Sequence, residues 1–309
     1  MNDSINYFKA LADETRLRIL FVLSRHELNV NELIAVLSMG QSRVSRHLKI
    51  LTSAGLLSWR RDGLWVFYSA ATEGEPRRFI EAVLPFVAAD PHFQEDLGAA
   101  AALVEERMRA TRQFFNTIAD DWDHLAREVL GRYDLPGAVA ALVPRGSVAV
   151  DLGCGTGEVL ERMLFAADTV IGVDGSARML DLARRRFGDE SSRVSLRIGD
   201  LEHLPLRDCE ADFITISMVL HHLSSPQAAL EEARRVLRPG GRVVVADFDR
   251  HENESMRVTH GDRWLGFSEE ALCTALQKAG FSLILTERVP VEKGLFIHLI
   301  QAEFTAAAP

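Results

Sequence analysis

Cysteine is scarce in this 309-residue sequence. The three present, Cys154, Cys209 and Cys273, have no paired spacing, which excludes a disulfide framework and a thiolate zinc cluster. Long apolar runs are missing as well. None approaches the roughly 20 residues that a membrane helix needs, so no membrane association is expected. Met1-Asn2-Asp3-Ser4 opens without a basic stretch followed by an apolar one, which gives no sign of secretion, and the expected location is the cytoplasm. Tyrosine is also sparse, with only Tyr7, Tyr68 and Tyr133. Excess positive charge is absent: the net charge of −9 argues, on average, against a nucleic-acid partner. Internal repeats and low-complexity tracts are lacking apart from the short tail Ala306-Ala307-Ala308-Pro309.

What is present suits a packed, multidomain chain. Hydrophobic residues make up 47% and the mean hydropathy is +0.01. The length fits two domains of about 100 to 200 residues. The organising stretch is Val148-Ala149-Val150-Asp151-Leu152-Gly153-Cys154-Gly155-Thr156-Gly157-Glu158, an apolar strand that becomes a glycine-rich turn and then a helix. Glycines at alternate positions allow a tight turn and let a ligand lie against bare main chain, and the helix start offers free N–H groups. A second apolar strand, Val170-Ile171-Gly172-Val173-Asp174, places a carboxylate 23 positions after Asp151, about the spacing of a ribose-binding acid in nucleotide-binding folds.

The order Asp-x-Gly-x-Gly-x-Gly differs from the dinucleotide fingerprint. With Asp174, Ile198-Gly199-Asp200-Leu201, Asp212 to Leu223, and Leu237-Arg238-Pro239-Gly240-Gly241-Arg242, it resembles the class I S-adenosylmethionine (SAM) methyltransferases. The resemblance implies a Rossmann-like domain in which Gly153, Cys154, Gly155 and Gly157 flank the methionine part of SAM. It also implies that Asp174 holds the ribose, that Asp200 and Leu201 meet the adenine, and that Asp151, Gly175, Met179 and Ser217 complete the cofactor site. The competing reading is a Rossmann-like domain whose acids only cap helices.

Strands beginning near Ser147, Thr169, Val194, Asp212 and Arg242 alternate with helices, so a largely parallel sheet covered on both faces is expected. Two last strands, Phe281 to Val289 and Leu295 to Phe304, are joined closely enough to demand an antiparallel edge. His221 and His222 stand where the fourth strand ends and are the candidate bases near neutral pH; the alternative is a structural role.

The average charge hides an asymmetry. Between Gln41 and Arg61 lie five basic residues, Arg43, Arg46, Lys49, Arg60 and Arg61, and no acid. Val44, Leu48 and Leu51 form the inward stripe of a helix whose Gln41, Ser42, Arg43, Ser45, Arg46, His47 and Lys49 are candidates for contact with bases or phosphates. Asp62-Gly63 marks a hairpin turn with Arg60 and Arg61 beside it, a basic wing. The phrase Phe8-Lys9-Ala10-Leu11-Ala12-Asp13-Glu14-Thr15-Arg16, then Ser45-Arg46-His47-Leu48, Gly55-Leu56 and Arg60-Arg61-Asp62-Gly63, resembles the ArsR-type winged helix-turn-helix repressors over roughly the first 70 residues. That resemblance implies a homodimer on a double-stranded DNA operator with an inverted repeat; the bland alternative is a winged helix used only for protein interaction. Metal-sensing members carry cysteines where this chain has Leu28-Asn29-Val30-Asn31-Glu32-Leu33, so thiolate metal sensing is not expected. Asp90, His92 and Glu95 read as a solvated linker, the alternative being a hard-ligand zinc site at a dimer helix, and no metal site is expected.

The expected architecture is therefore multidomain, α+β and α/β. Residues 1–75 form the winged helix, 76–130 a helical connector and lid, and 131–309 the methyltransferase-like domain. In the connector, a long helix from Ala99 to Leu130, broken near Thr117, carries Phe115 and Trp122 as candidate cofactor-covering residues; an aromatic core stripe is the alternative. Two functions follow. One is a DNA-binding transcriptional regulator that binds SAM or S-adenosylhomocysteine (SAH) and couples it to operator binding, resembling SAH-responsive methionine-cycle regulators. The other is an active methyltransferase of a small acceptor that controls its own operon. Arsenite methylation lacks its converging thiolates, and no Asn/Asp-Pro-Pro-aromatic motif for DNA-base methylation follows the fourth strand.

Overall fold

The computed structural model describes residues 3–62 and 64–305, which divide into two compact units between Arg107 and Met108. In the first unit, α1 (Asp3–Leu11) and α2 (Glu14–Leu23) precede a two-residue strand β1 (Leu28–Asn29). The Asp13 side chain caps α2 by accepting from the Arg16 amide at 3.1 Å. Helix α3 (Val30–Leu37) starts with a reciprocal cap: Asn29 accepts from the Glu32 amide, and the Glu32 carboxylate accepts from the Asn29 amide. Helix α4 (Gln41–Ser53) follows after a turn in which Ser38 adopts φ +53°. Strands β2 (Leu57–Asp62) and β3 (Trp65–Ala70) pair antiparallel, with β1 on the far side of β3. Gly63, half of the expected hairpin turn, lies outside the described residues.

Ile19, Leu20, Leu33, Val44, Leu48, Leu51 and Leu56 close the core of this unit. Helix α5 (Gly74–Val83) ends in a short 3₁₀ turn, Leu84–Phe86. Helix α6 (Pro91–Ile118) then begins eight residues earlier than the alanine-rich stretch suggests. Pro91 is compatible with that start because the first helical residue has no N–H obligation. Arg18 anchors the first turns of α6 through a two-pronged ion pair with buried Asp96, at 2.6 and 2.7 Å.

The unit boundary falls within α6. In the second unit its last turns run into a 3₁₀ segment, Ala119–Asp121, and then α7 (Trp122–Leu130) and α8 (Leu135–Ala140). The break follows Ile118, one residue from the expected place. The sheet is built from β4 (Val148–Leu152), β5 (Thr169–Asp174), β6 (Val194–Ile198), β7 (Ala211–Ser217), β8 (Leu237–Phe248), β9 (Phe281–Pro290) and β10 (Phe296–Phe304). Their spatial order is β6-β5-β4-β7-β8-β10-β9: the first five run parallel, and β10 pairs antiparallel with both neighbours.

Both faces are covered, which is why the inner strands are largely apolar. Successive side chains alternate between faces. Val150, Leu152, Val243 and Val245 meet α11 (Pro226–Val236) and α13 (Glu269–Lys278). Ala149, Val244 and Ala246 face the side of α8, α9 (Glu158–Met163) and α10 (Ala177–Phe187). One detail differs from expectation: the fifth strand begins at Leu237, so Arg238-Pro239-Gly240-Gly241 belongs to it, with a register shift opposite Ala211 to Phe213. A short helix α12 (Met256–Thr259) lies in the loop after β8.

Candidate functional site

Two sites arise, one in each unit. In the first, Gln41, Ser42, Arg43, Ser45, Arg46 and Lys49 project from α4 into solvent. The residue before α4 is Gly40, which supplies no side-chain cap. His47 departs from its expected role. It is 8% exposed and lies 3.8 Å from Asp13, because the helical period that carries Val44 and Leu51 inward carries residue 47 with them. Burial holds its pKa below the ordinary histidine value.

Arg60 departs too. Its guanidinium forks onto Glu27 at 2.9 and 2.6 Å, approaches Asp62 at 3.5 Å and lies over the Phe67 ring at 4.5 Å. A cation so engaged braces the hairpin against the preceding segment, whereas Arg61 is exposed. Trp59, Leu64 and Trp65 are exposed on the same hairpin.

The second site is a cleft at the carboxyl ends of β4, β5, β6 and β7, where open α/β sheets hold ligands. Its wall includes Asp151, Gly153, Cys154, Gly155, Asp174, Gly175, Met179, Asp200, Leu201, Ser217 and His222, together with Phe115 and Trp122. Gly153 and Gly155 have φ of +76° and +51°, and a Cβ on Gly153 would sit 2.4 Å from Val219, so only glycine fits there. Gly157 is not on the wall: it faces α10, where a Cβ would meet Phe187 at 3.0 Å. Asp174 is braced at both oxygens, accepting from the Gly155 amide at 2.9 Å and the Ser176 amide at 2.7 Å. Burial raises its pKa, and those two donors work against the rise.

Asp151 is different. It is 2% exposed, its Oδ1 has no hydrogen-bond partner, and burial with the nearby Asp174 charge pushes its pKa up to about 8. Glu158, Asp200 and Glu202 add acid to the wall, against one arginine, Arg112. Cys154 is buried in the turn, and that burial lifts its thiol well above the usual range.

The two histidines separate. His222 lines the cleft, while His221 is not on its wall and lies between two buried carboxylates, 2.7 Å from Asp247 and 3.6 Å from Asp262. Burial lowers His222 well below the ordinary value. Burial also disfavours charge on His221, but Asp247 and Asp262 more than offset it and raise its pKa.

Comparison with known proteins now bears on both sites. A family model described as bacterial regulatory protein, arsR family, matches residues 13–58, and a methyltransferase domain model matches residues 150–245. A demethylmenaquinone methyltransferase from Thermobifida fusca is 35% identical over 171 residues, which is 54% of this chain and 70% of the relative. The chain joins an ArsR-family helix-turn-helix to a class I methyltransferase domain. A second demethylmenaquinone methyltransferase, from Lactiplantibacillus plantarum, is 37% identical over 139 residues, covering 42% of this ArsR–methyltransferase chain and 59% of the relative. The chain spans about half the length of most curated relatives it matches, from 31% to 70%. Among solved structures, a chain from the Haloferax volcanii complex of the Trm112 methyltransferase activator with a methyltransferase superposes with a TM-score of 0.53. It is 21% identical, with 62% of this chain and 98% of that one covered, and it attests the fold.

Several residues of the ArsR–methyltransferase cleft escape sequence reasoning. Thr111 and Arg112 join the expected Phe115 on its wall because they lie four and three residues before it on α6. Asn116 accepts from Ser176 Oγ at 2.7 Å, and Arg178 pairs with Asp120 at 2.7 Å. Thr156 donates to Asp123 at 2.5 Å, and Arg186 reaches the same carboxylate at 2.7 Å. These polar bonds latch the end of α6 and the start of α7 to the glycine turn and α10. Trp122 packs on Phe115 at 5.3 Å, and Phe115 on His222 at 4.8 Å, an aromatic row along the cleft. The signal available in sequence was the helical spacing of Arg112, Phe115 and Asn116; the partners of Asp123 lie over thirty residues away and gave none.

Proposed function

We propose that this chain is a transcriptional regulator whose methyltransferase domain binds SAM or SAH and couples that binding to operator affinity, in control of the methionine cycle. The observation that carries the reading is that an exposed basic helix of an ArsR-family helix-turn-helix and the cleft of a methyltransferase domain occur in one chain, whose helix α6 contributes residues to both units. The cleft suits the ligand. The four acids Glu158, Asp174, Asp200 and Glu202 favour a cationic group, which both SAM and SAH carry as an ammonium and SAM also as a sulfonium, and the buried Asp151 carboxyl leaves its Oδ1 free to accept from such a donor. Gly153 and Gly155 leave main chain bare, Asp174 is oriented by two amides, and Asp200 with Leu201 lines the adenine end in this assignment. On the DNA side, Arg46 and Lys49 approach bases and phosphates as a homodimer engages an inverted repeat.

The test is binding of the protein's own upstream DNA at fixed salt, titrated separately with SAM and with SAH. A shift in DNA affinity with either ligand is the expected outcome. Unchanged affinity while calorimetry shows both nucleosides bound would refute the coupling.

A second reading has its own support. The named relatives are methyltransferases, and His222 presents its ring to the same cleft. SAM supplies an electrophilic methyl group, and the protein's share would be to align a small acceptor and exclude water, with His222 taking the acceptor proton. Its lowered pKa keeps the ring neutral, as a base must be. Transfer of labelled methyl from SAM to an isolated acceptor pool distinguishes this reading from a pure sensor.

A further inference from the structure

Beside the cleft lies a polar cluster from which the readings above draw only His222. His221 and His222 form a 3₁₀ turn after β7, and Asp262 and His260 sit in the loop after β8. All are nearly enclosed, with exposures of 2% for His221, 7% for His222, 3% for Asp262 and 6% for His260.

Each histidine has its Nδ1 occupied. His221 uses it on Asp247 at 2.7 Å, His222 on the Gly261 carbonyl at 3.1 Å and His260 on Thr259 at 2.7 Å. The opposite nitrogens of His222 and His260, and both oxygens of Asp262, are buried with no hydrogen-bond partner. His221 Nε2 stands 3.6 Å from Asp262 Oδ1. Buried polar atoms without partners are unfavourable, so the arrangement favours a ligand that engages them.

The pattern resembles the outer shell of a metal centre, where a carboxylate or backbone carbonyl fixes one imidazole nitrogen and thereby presents the other to an ion. Candidate ligand atoms of His221, His222 and Asp262 all lie within 4.8 Å of one another. Tetrahedral zinc with ligands at about 2.0–2.1 Å places them about 3.3–3.4 Å apart, a contraction within side-chain reach. Two buried carboxylates, Asp262 and Asp247, would balance a divalent charge, and entry is through the cleft wall, where His222 lies.

We propose that His221, His222 and Asp262 bind a divalent first-row transition metal, with His260 adjacent as a further imidazole. Mixed imidazole and carboxylate donors favour zinc, iron or cobalt over magnesium or calcium, which take oxygen ligands. Binding forms bonds from His221 Nε2, His222 Nε2 and an Asp262 oxygen to the ion, and any proton on His221 Nε2 leaves to solvent. His222 Nε2, as a ligand, is then no longer a base. The ion would tie the end of β7 to the loop after β8 and set the His222 ring against Phe115.

The test uses the full chain stripped with a chelator and dialysed against Zn²⁺, with Mg²⁺ as control, the metal content being measured per chain. About one Zn²⁺ per chain is expected, together with at least a tenfold loss of affinity in both D262N and H221Q. Folding of the variants is checked by circular dichroism, and SAH binding is followed alongside. Absence of zinc in folded wild-type protein overturns the site, as does equal retention in both variants. Should either variant fail to fold, anomalous diffraction from zinc-loaded wild-type crystals decides. A peak among His221, His222 and Asp262 supports the site, and a peak elsewhere or none overturns it.

Discussion

At the scale of single residues, the two wing arginines make opposite predictions although they are neighbours in sequence. Arg60 is committed to Glu27, Asp62 and Phe67. Arg60→Ala should therefore destabilise the first unit by about 1 kcal/mol, lowering its melting midpoint, and leave the salt slope of DNA binding unchanged. Arg61→Ala should reduce the slope of log affinity against log salt by about 0.9 for one lost phosphate contact. Equal effects on both measurements would mean that Arg60 leaves its pairs to meet DNA. Asp151 carries a pH prediction. Its pKa in the fold is raised to about 8 by burial and Asp174. Its protonated form therefore stabilises the fold fully below the ordinary carboxylate pKa of about 4, and that contribution is lost as pH climbs to about 8. Asp151→Asn should melt near wild type at pH 4 and several degrees above it at pH 8, and calorimetric scans at the two pH values check this. A uniform gain at both would show that the charge is not the cause.

At the scale of elements, the start of α7 is the piece whose attachment is polar and few-stranded. Asp123 accepts from Thr156 and pairs with Arg186, so one substitution removes two bonds to the glycine turn and α10. Asp123→Ala should raise the dissociation rate of SAH about tenfold, measured by stopped-flow, with little change in DNA affinity of the ligand-free protein. An unchanged rate would mean that α7 does not retain the ligand. The elements themselves were largely legible. An apolar run ending in alternating glycines can hardly be other than strand, turn and helix, and the close spacing of β9 and β10 forced their antiparallel pairing. Less was legible where a role depends on a distant partner. His47 reads as polar and available, yet its helical phase buries it against Asp13. Gly157 reads as part of the ligand turn, yet its free face serves the packing of Phe187. The cluster around Asp262 is silent in sequence because forty residues separate it from His222.

At the scale of the whole molecule, the proposed coupling of two binding activities is bound by reciprocity. Whatever factor SAH imposes on operator affinity, the operator must impose on SAH affinity. Measuring both sides, by DNA titration with SAH and by SAH titration with DNA, should return the same factor; unequal factors would mean that the binding steps were not compared between the same states. Charge is divided between the units in the same sense as their proposed ligands. The basic stretch lies in the first, and an acid-rich cleft lies in the second, which the net charge of −9 averages away. The sheet order adds a constraint on how the chain is made. Strand β10 lies between β8 and β9, although it follows both in sequence. During synthesis β8 therefore leaves the ribosome with an open hydrogen-bonding edge and waits for more than forty further residues before its partner exists. The first unit needs no such delay, so a nascent chain can present a folded DNA-binding unit while its second unit is still incomplete, and that interval is when chaperone protection matters most.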